Sequence, residues 1–202
     1  MSHRVVYRQG GAEGKGKAAP MEQPFLYPVG LFAQEISGSS VFWTCVRTRP
    51  RWEKKFAQWL IDRRHSCFLP VFPHETLSGR KRRVRALPLF PGFVFVEGDW
   101  SKKDFVQSGS VVYVLRPRSS NEAAQLHREI KNIWRGLTSG MYVTPVQNLV
   151  SGETCRVIQG PLQGIEVKFE RMGRGGRLVL QVEMLGGGIS VEVPACDVEP
   201  VL

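Results

Sequence analysis

The sequence predicts an α+β protein: an antiparallel α/β sandwich followed by a small β-barrel. Three observations predict it. Between residues 41 and 136, one amphipathic helical pattern near each end encloses short aromatic and β-branched runs. From Glu153 the apolar period changes to two, with glycine-rich turns between the runs. The charge divides along the same line. Residues 41–140 carry nineteen Lys or Arg against eight Asp or Glu, whereas residues 141–202 carry five against seven.

Residues 1–40 are rich in Gly, Ser, Gln and Pro without sustained periodicity, and read as a largely disordered extension. Met21 is an alternative translation start. Val41 to Val46 reads as a strand. Pro50 suits a first helical turn, and Trp52, Phe56, Trp59 and Leu60 then fall on one helical face opposite Arg51, Lys54, Lys55 and Gln58. Cys67 to Phe72 reads as a second strand, limited by Pro70 and Pro73 to an edge or an irregular course. Leu77 to Arg80 is a turn, and the basic run Arg80 to Arg85 climbs out of it.

Next comes Leu89-Phe90-Pro91-Gly92-Phe93-Val94-Phe95-Val96, a turn feeding a strand that is apolar on both faces. Two readings of Phe90 and Phe93 stand side by side: a core strand after a tight turn, or an aromatic patch for a partner. Ser101-x-x-Asp104 opens a short helix closed by Gly109, Val111 to Leu115 is a strand, and Ser119-x-x-Glu122 caps a second helix. Ala123, Leu126, Ile130, Ile133 and Trp134 form that helix's apolar face. Residues 41–136 thus read β-α-β-β-β-α-β-α. A linker is expected over 139–150. Beyond it, Ile165/Val167/Phe169, Leu178/Leu180/Val182 and Ile189/Val191/Val193 alternate as barrel strands. The expected domains are therefore 1–40, 41–138, the linker 139–150 and 151–202.

The net charge of +10 at neutral pH points to a polyanionic partner. The four cysteines, Cys45, Cys67, Cys155 and Cys196, and the four histidines lack metal-ligand spacing, so neither a metal nor a cofactor is expected. Each cysteine adjoins an apolar run, which fits buried free thiols in a reducing cytoplasm. No run approaches the roughly 20 apolar residues of a membrane helix. No nucleophile–base pair, phosphate-cradling loop or metal cluster marks an enzyme.

Three features together resemble the NusG family of transcription elongation factors over about residues 41–202. They are Trp43 opening a strand before the Pro50–Arg64 helix, the Leu89–Val96 motif, and Gly152-Glu153 followed by Val157-Ile158-Gln159-Gly160-Pro161-Leu162-Gln163-Gly164. The second is similar to the family's F-P-G-Y-V-x-V signature, the third to the start of a KOW barrel. Cys67, Pro70, Glu75, Lys81 and the Pro88-Leu89-Phe90-Pro91 entry look closer to specialised RfaH-like paralogues than to housekeeping members. Val167 stands where family members often have a second glycine. Arg47 stands near the polymerase-facing patch, where an apolar or aromatic residue is usual.

The resemblance implies an NGN-type domain followed by a KOW-type, SH3-like barrel, acting as a monomer. It implies antitermination by docking on the RNA polymerase clamp helices through Trp43, Phe90, Pro91 and Phe93. It places Arg49, Arg51, Lys54, Lys55, Lys81, Arg82 and Arg83 against upstream or non-template DNA. Gly160, Pro161 and Gly164 carry the KOW motif, and the barrel would recruit a ribosomal protein or a termination factor. The chain is expected to keep its C-terminal domain β, because Gly186-Gly187-Gly188 would cost a helix roughly 1 kcal/mol per glycine. The rival reading is an RNA-binding or ribosome-associated KOW protein, which needs its basic surface on the barrel.

Overall fold

The structure, a computed structural model, describes residues 25–32, 42–78, 81–141, 143–146, 152–172, 175–194 and 197–201. It is a mixed α/β chain with antiparallel sheets, divided into two compact units: Met21–Arg128, and a second that includes Glu129–Leu202.

In the first unit, a five-stranded sheet has the order β1-β3-β6-β2-β7. These are β1 (Phe25–Tyr27), β2 (Trp43–Thr48), β3 (Cys67–Leu69), β6 (Phe93–Glu97) and β7 (Val111–Leu115). The helix α1 (Glu53–Asp62) packs on one face. There Phe56, Ala57 and Leu60 meet Val46, Cys67, Leu69, Val94 and Val96 in a buried core, with Phe105 beside them. Burial in this core pushes the Cys67 thiol up to about 12, which leaves it a packing residue and not a nucleophile. Cys45 and Cys155 are likewise buried, and Cys196 lies outside the described residues.

Four local differences from the sequence reading have physical causes. Pro50 does not enter the helix. Trp52 N–H bonds to the Arg49 carbonyl (3.1 Å) and Arg51 has φ 66°, so Arg49–Trp52 is a tight turn with proline second, and α1 starts at Glu53. The run expected over 67–72 is split at Pro70. β3 stays in the sheet, while β4 (Val71–Ser78) leaves to form a separate two-stranded ribbon with β5 (Lys81–Pro88). Within the stretch read as disordered, Phe25–Tyr27 is β1, which pairs with β3, and Phe32 is buried. The rest of 1–40 lies outside the described residues. Within the expected linker, Val143–Val146 is a strand, β8.

Other elements follow their signals closely. A 3-10 helix, Lys102–Ser108, begins where the Ser101 N–H and hydroxyl both donate to the Asp104 carboxylate (2.7 Å each) and ends at Gly109 in the left-handed region. The helix α2 (Ser120–Thr138) begins where Ser119 Oγ accepts from the Glu122 N–H (3.2 Å). The division between the two units falls inside α2.

In the second unit, a six-stranded antiparallel sheet has the order β13-β9-β10-β11-β12-β8. Its other strands are β9 (Glu153–Val157), β10 (Glu166–Met172), β11 (Gly175–Val182), β12 (Gly187–Pro194) and β13 (Val198–Pro200). Val167, Phe169, Leu178, Leu180, Ile189 and Val191 are buried, as their alternation requires. The Gly186–Gly188 run is a left-handed residue followed by the start of β12, so this segment is β. A Cβ on Gly188 would lie 2.0 Å from the Leu180 carbonyl oxygen, so the β11–β12 pairing itself demands glycine there.

Candidate functional site

The Phe90–Phe93 turn is assembled from three directions. Phe93 N–H bonds to the Phe90 carbonyl (3.0 Å) around Pro91 and Gly92, and Gly92 has φ 85°, as a type II turn requires at that position. The Gly92 carbonyl accepts from the Thr48 N–H (2.7 Å) on β2. The Gly92 N–H donates to the Glu53 carboxylate (2.6 Å), a buried side chain in the first turn of α1. Glu53 thus ties helix to turn while standing at the favourable end of the helix dipole. The sequence offered only an acidic residue in the first turn of a basic helix as its signal.

Strand register then sorts the aromatics of this sheet face into rows. Arg47 is opposite Phe93 on one side and Tyr113 on the other. Two residues along β2, Cys45 is opposite Phe95 and Leu115, and Phe95 is opposite Phe68. In the first row Phe93 and Arg47 are half-buried, Tyr113 is 44% exposed and the adjoining Pro91 is exposed. The guanidinium carbon of Arg47 lies 4.8 Å from the Phe93 ring centroid, and Nη1 donates to the Pro91 carbonyl (2.8 Å). The Phe93 and Tyr113 rings meet edge to face at 6.4 Å. In the second row Cys45, Phe95 and Phe68 are fully buried.

This arrangement revises which of the candidate docking residues lie at the surface. Trp43 is fully buried, stacked on Phe32 at 5.6 Å, and its indole N–H donates to His127 Nδ1 (3.0 Å). It is a core residue with its polar handle satisfied, and it presents no surface to a partner. It also pairs with Glu97, four residues along β6 from Phe93, or roughly 13 Å away along the strand. Phe90 is 5% exposed, its ring edge-on to Phe95 at 5.6 Å, so it too is mostly packed inside. Pro91 and Phe93 keep their place at the surface, joined by Arg47 and Tyr113. Sequence had marked Arg47 as out of pattern and treated Tyr113 as an ordinary strand residue. Only register puts them in one row.

The basic candidates separate into two groups. Around the Arg49–Trp52 turn, Arg49, Arg51 and Lys55 are exposed. The Arg49 and Lys55 cations lie 5.8 and 4.1 Å from the Trp52 ring, while Lys54 lies 6.0 Å from Phe25. The second group rides on the ribbon. Arg83 and Arg85 are exposed on β5, two residues apart and hence on one face. Lys81 and Arg82 lie on the same strand, and their side chains fall outside the described residues. Arg85 belongs with Arg83 by strand parity and was missed.

The second unit has no comparable group of cations among its described residues. Arg156 faces Glu166 (2.6 Å), which holds the guanidinium charged, and Arg177 pairs with Glu170, both across strands. Lys168 donates to Thr154 (3.0 Å). Gly160 and Gly164, with φ 86° and 83°, shape the β9–β10 loop; Gln163 N–H bonds to the Gly160 carbonyl (3.0 Å) and Gly164 N–H to that of Val157 (2.8 Å). Pro161 is exposed, and Leu162 of this loop is buried. Among the described residues, no three His, Cys, Asp or Glu are placed to hold a metal, and no helix is long and apolar enough to cross a membrane.

Comparison with known proteins finds a family match for the first part of the chain. The family described as "Transcription termination factor nusG" matches residues 42–137. No curated protein matches. One solved structure, titled "Crystal Structure of MjSpt4:Spt5 complex conformation B", is 20% identical; the match covers 79% of this chain and 96% of that one, with a TM-score of 0.21.

Proposed function

Residues 42–137 belong to the NusG family, and on that premise we propose that the chain is a specialised, RfaH-like transcription elongation and antitermination factor. It docks on the clamp helices of RNA polymerase, suppresses pausing or termination, and performs no bond chemistry. The observation that carries this reading is the row of Tyr113, Arg47 and Phe93 beside Pro91: aromatic surface on a rigid sheet, pinned by a turn with three anchors. Rigid aromatic area is what supplies an interface hot spot.

The Arg49, Arg51, Lys54 and Lys55 group, together with Lys81, Arg82, Arg83 and Arg85, holds DNA near the cleft. Such contacts give salt-dependent affinity and carry no sequence choice. The second unit is read as a KOW-type barrel that recruits a ribosomal protein or a termination factor. Its cross-strand Arg–Glu pairs count against the rival RNA-binding reading.

The test is binding of the full chain to isolated clamp helices, wild type against Phe93→Ala/Tyr113→Ala. Phe90→Ala is a poor probe, because it opens a cavity against Phe95. The double variant is expected to melt cooperatively and to bind at least tenfold more weakly. Equal binding by both proteins, or none by a folded wild type at low salt, would sink the proposal.

A further inference from the structure

Arg47 is a cation at the centre of an otherwise aromatic row. Its stem leaves the last but one residue of β2, still paired with Phe93 of β6 on one side and Tyr113 of β7 on the other and just before the β2–β7 register shifts, so its origin is held by both neighbours. Its head is also fixed, over the Phe93 ring and hydrogen-bonded to the Pro91 carbonyl. The guanidinium lies close over the turn: a Cβ on Gly92 would sit 2.7 Å from its carbon. Yet no carboxylate among the described residues is within ion-pair distance of it. The acidic anchor of the turn, Glu53, bonds to the Gly92 N–H. One of the five guanidinium donors is used, by the Pro91 carbonyl.

We propose that Arg47 is the specificity residue of the docking face, pairing two-point with an aspartate or glutamate on the clamp helices while Phe93 and Tyr113 shield the pair from water. This rests on the polymerase reading of the same face. A planar guanidinium held in place matches a carboxylate with little loss of freedom on binding. Flanking aromatics lower the local dielectric and strengthen the pair. A protein carboxylate fits better than a nucleic-acid phosphate, because phosphate affinity comes from several cations acting together and this row has one.

The experiment measures affinity of the full chain for clamp helices, with wild type, Arg47→Leu, Arg47→Glu and Phe93→Ala/Tyr113→Ala. Each Asp and Glu of the helices is also changed in turn to Asn or Gln, and to Arg. Arg47→Leu is expected to bind roughly tenfold to a hundredfold more weakly. Arg47→Glu should bind more weakly still, and one Asp or Glu→Arg change on the helices should restore it. With the wild-type chain, the Asn or Gln change at that same position should reproduce the Arg47→Leu loss, a result independent of how well Arg47 variants fold. Affinity unchanged in Arg47→Leu, or an Arg47→Glu loss that no charge swap restores, overturns the proposal while the docking face stands, provided Phe93→Ala/Tyr113→Ala still weakens binding. Wild-type affinity in that aromatic variant removes the docking face and the proposal with it. Loss of DNA binding with clamp binding intact in Arg47→Leu overturns it in favour of a phosphate.

Discussion

Two rows on one face of the five-stranded sheet lie a single pleat apart and have opposite fates. Cys45, Phe95 and Phe68 are sealed, whereas Arg47, Phe93 and Tyr113 border solvent. Both rows are rich in aromatics, and both alternate correctly along their strands. What differs is the cover. Phe32 packs edge-on to Phe68 at 5.4 Å, and Phe90 edge-on to Phe95. The outer row receives the Arg47 guanidinium instead. An aromatic residue in a strand therefore says that area will be hidden from water, but does not say by what. The outer row, held in place and left half-covered, is what the proposed docking face rests on.

The strongest way to break this contrast is to truncate one aromatic in each row. Phe95→Ala is expected to cost about 3–5 kcal/mol in chemical denaturation, from lost transfer and an unfilled cavity. Phe93→Ala should cost about 1 kcal/mol, the order of an edge-to-face pair, with its main effect on binding. Equal costs would mean that the outer row is core and its exposure incidental.

A smaller effect is expected at Glu53, which holds the outer row's turn from beneath. Glu53→Ala leaves the Gly92 N–H without its acceptor and should cost about 1–3 kcal/mol by denaturant titration. Glu53→Gln keeps an acceptor oxygen and should lose less. If alanine is as stable as wild type, water or the backbone supplies that acceptor, and Glu53 is not what holds the turn.

The smallest effect concerns the helix that delivers β7, and with it Tyr113. Hydrogen bonds from the Ser101 hydroxyl and N–H hold the Asp104 carboxyl below its usual range. A lowered carboxylate contributes stability above its unfolded pKa, and that contribution is lost as pH falls through its folded value. Thermal melts across that acidic range should therefore show wild type losing slightly more stability than Asp104→Asn. Parallel curves would show that Asp104 contributes nothing to seating the edge strand.

Much of this was legible residue by residue. Pro91-Gly92 and the Phe93–Val96 run gave the turn and its strand, because both depend on neighbours along the chain. The 3-10 helix and α2 begin where Ser101 and Ser119 signalled, for the same reason. The candidate docking residues were less legible: Trp43 and Phe90 carry the right composition, and burial removes them from the surface. Pro50 misled because proline second in a turn and proline first in a helix look alike in sequence. Arg51, rather than glycine, took the positive φ that distinguishes them. Phe25–Tyr27 and Val143–Val146 lacked flanking periodicity, since short strands depend on the sheet edge that receives them.

The sequence alone settled the longer local elements and the division of charge. The elements follow from dihedral preferences and alternation over a few residues, the charge from composition. Only tertiary structure decided which aromatics are covered, because Trp43 is sealed by Phe32 and by His127, 84 positions away. It also decided that Arg47, Phe93 and Tyr113 form one surface. Register brings them together from three separate strands, and it is fixed by non-local pairing and burial of the sheet's faces, neither of which a single strand encodes.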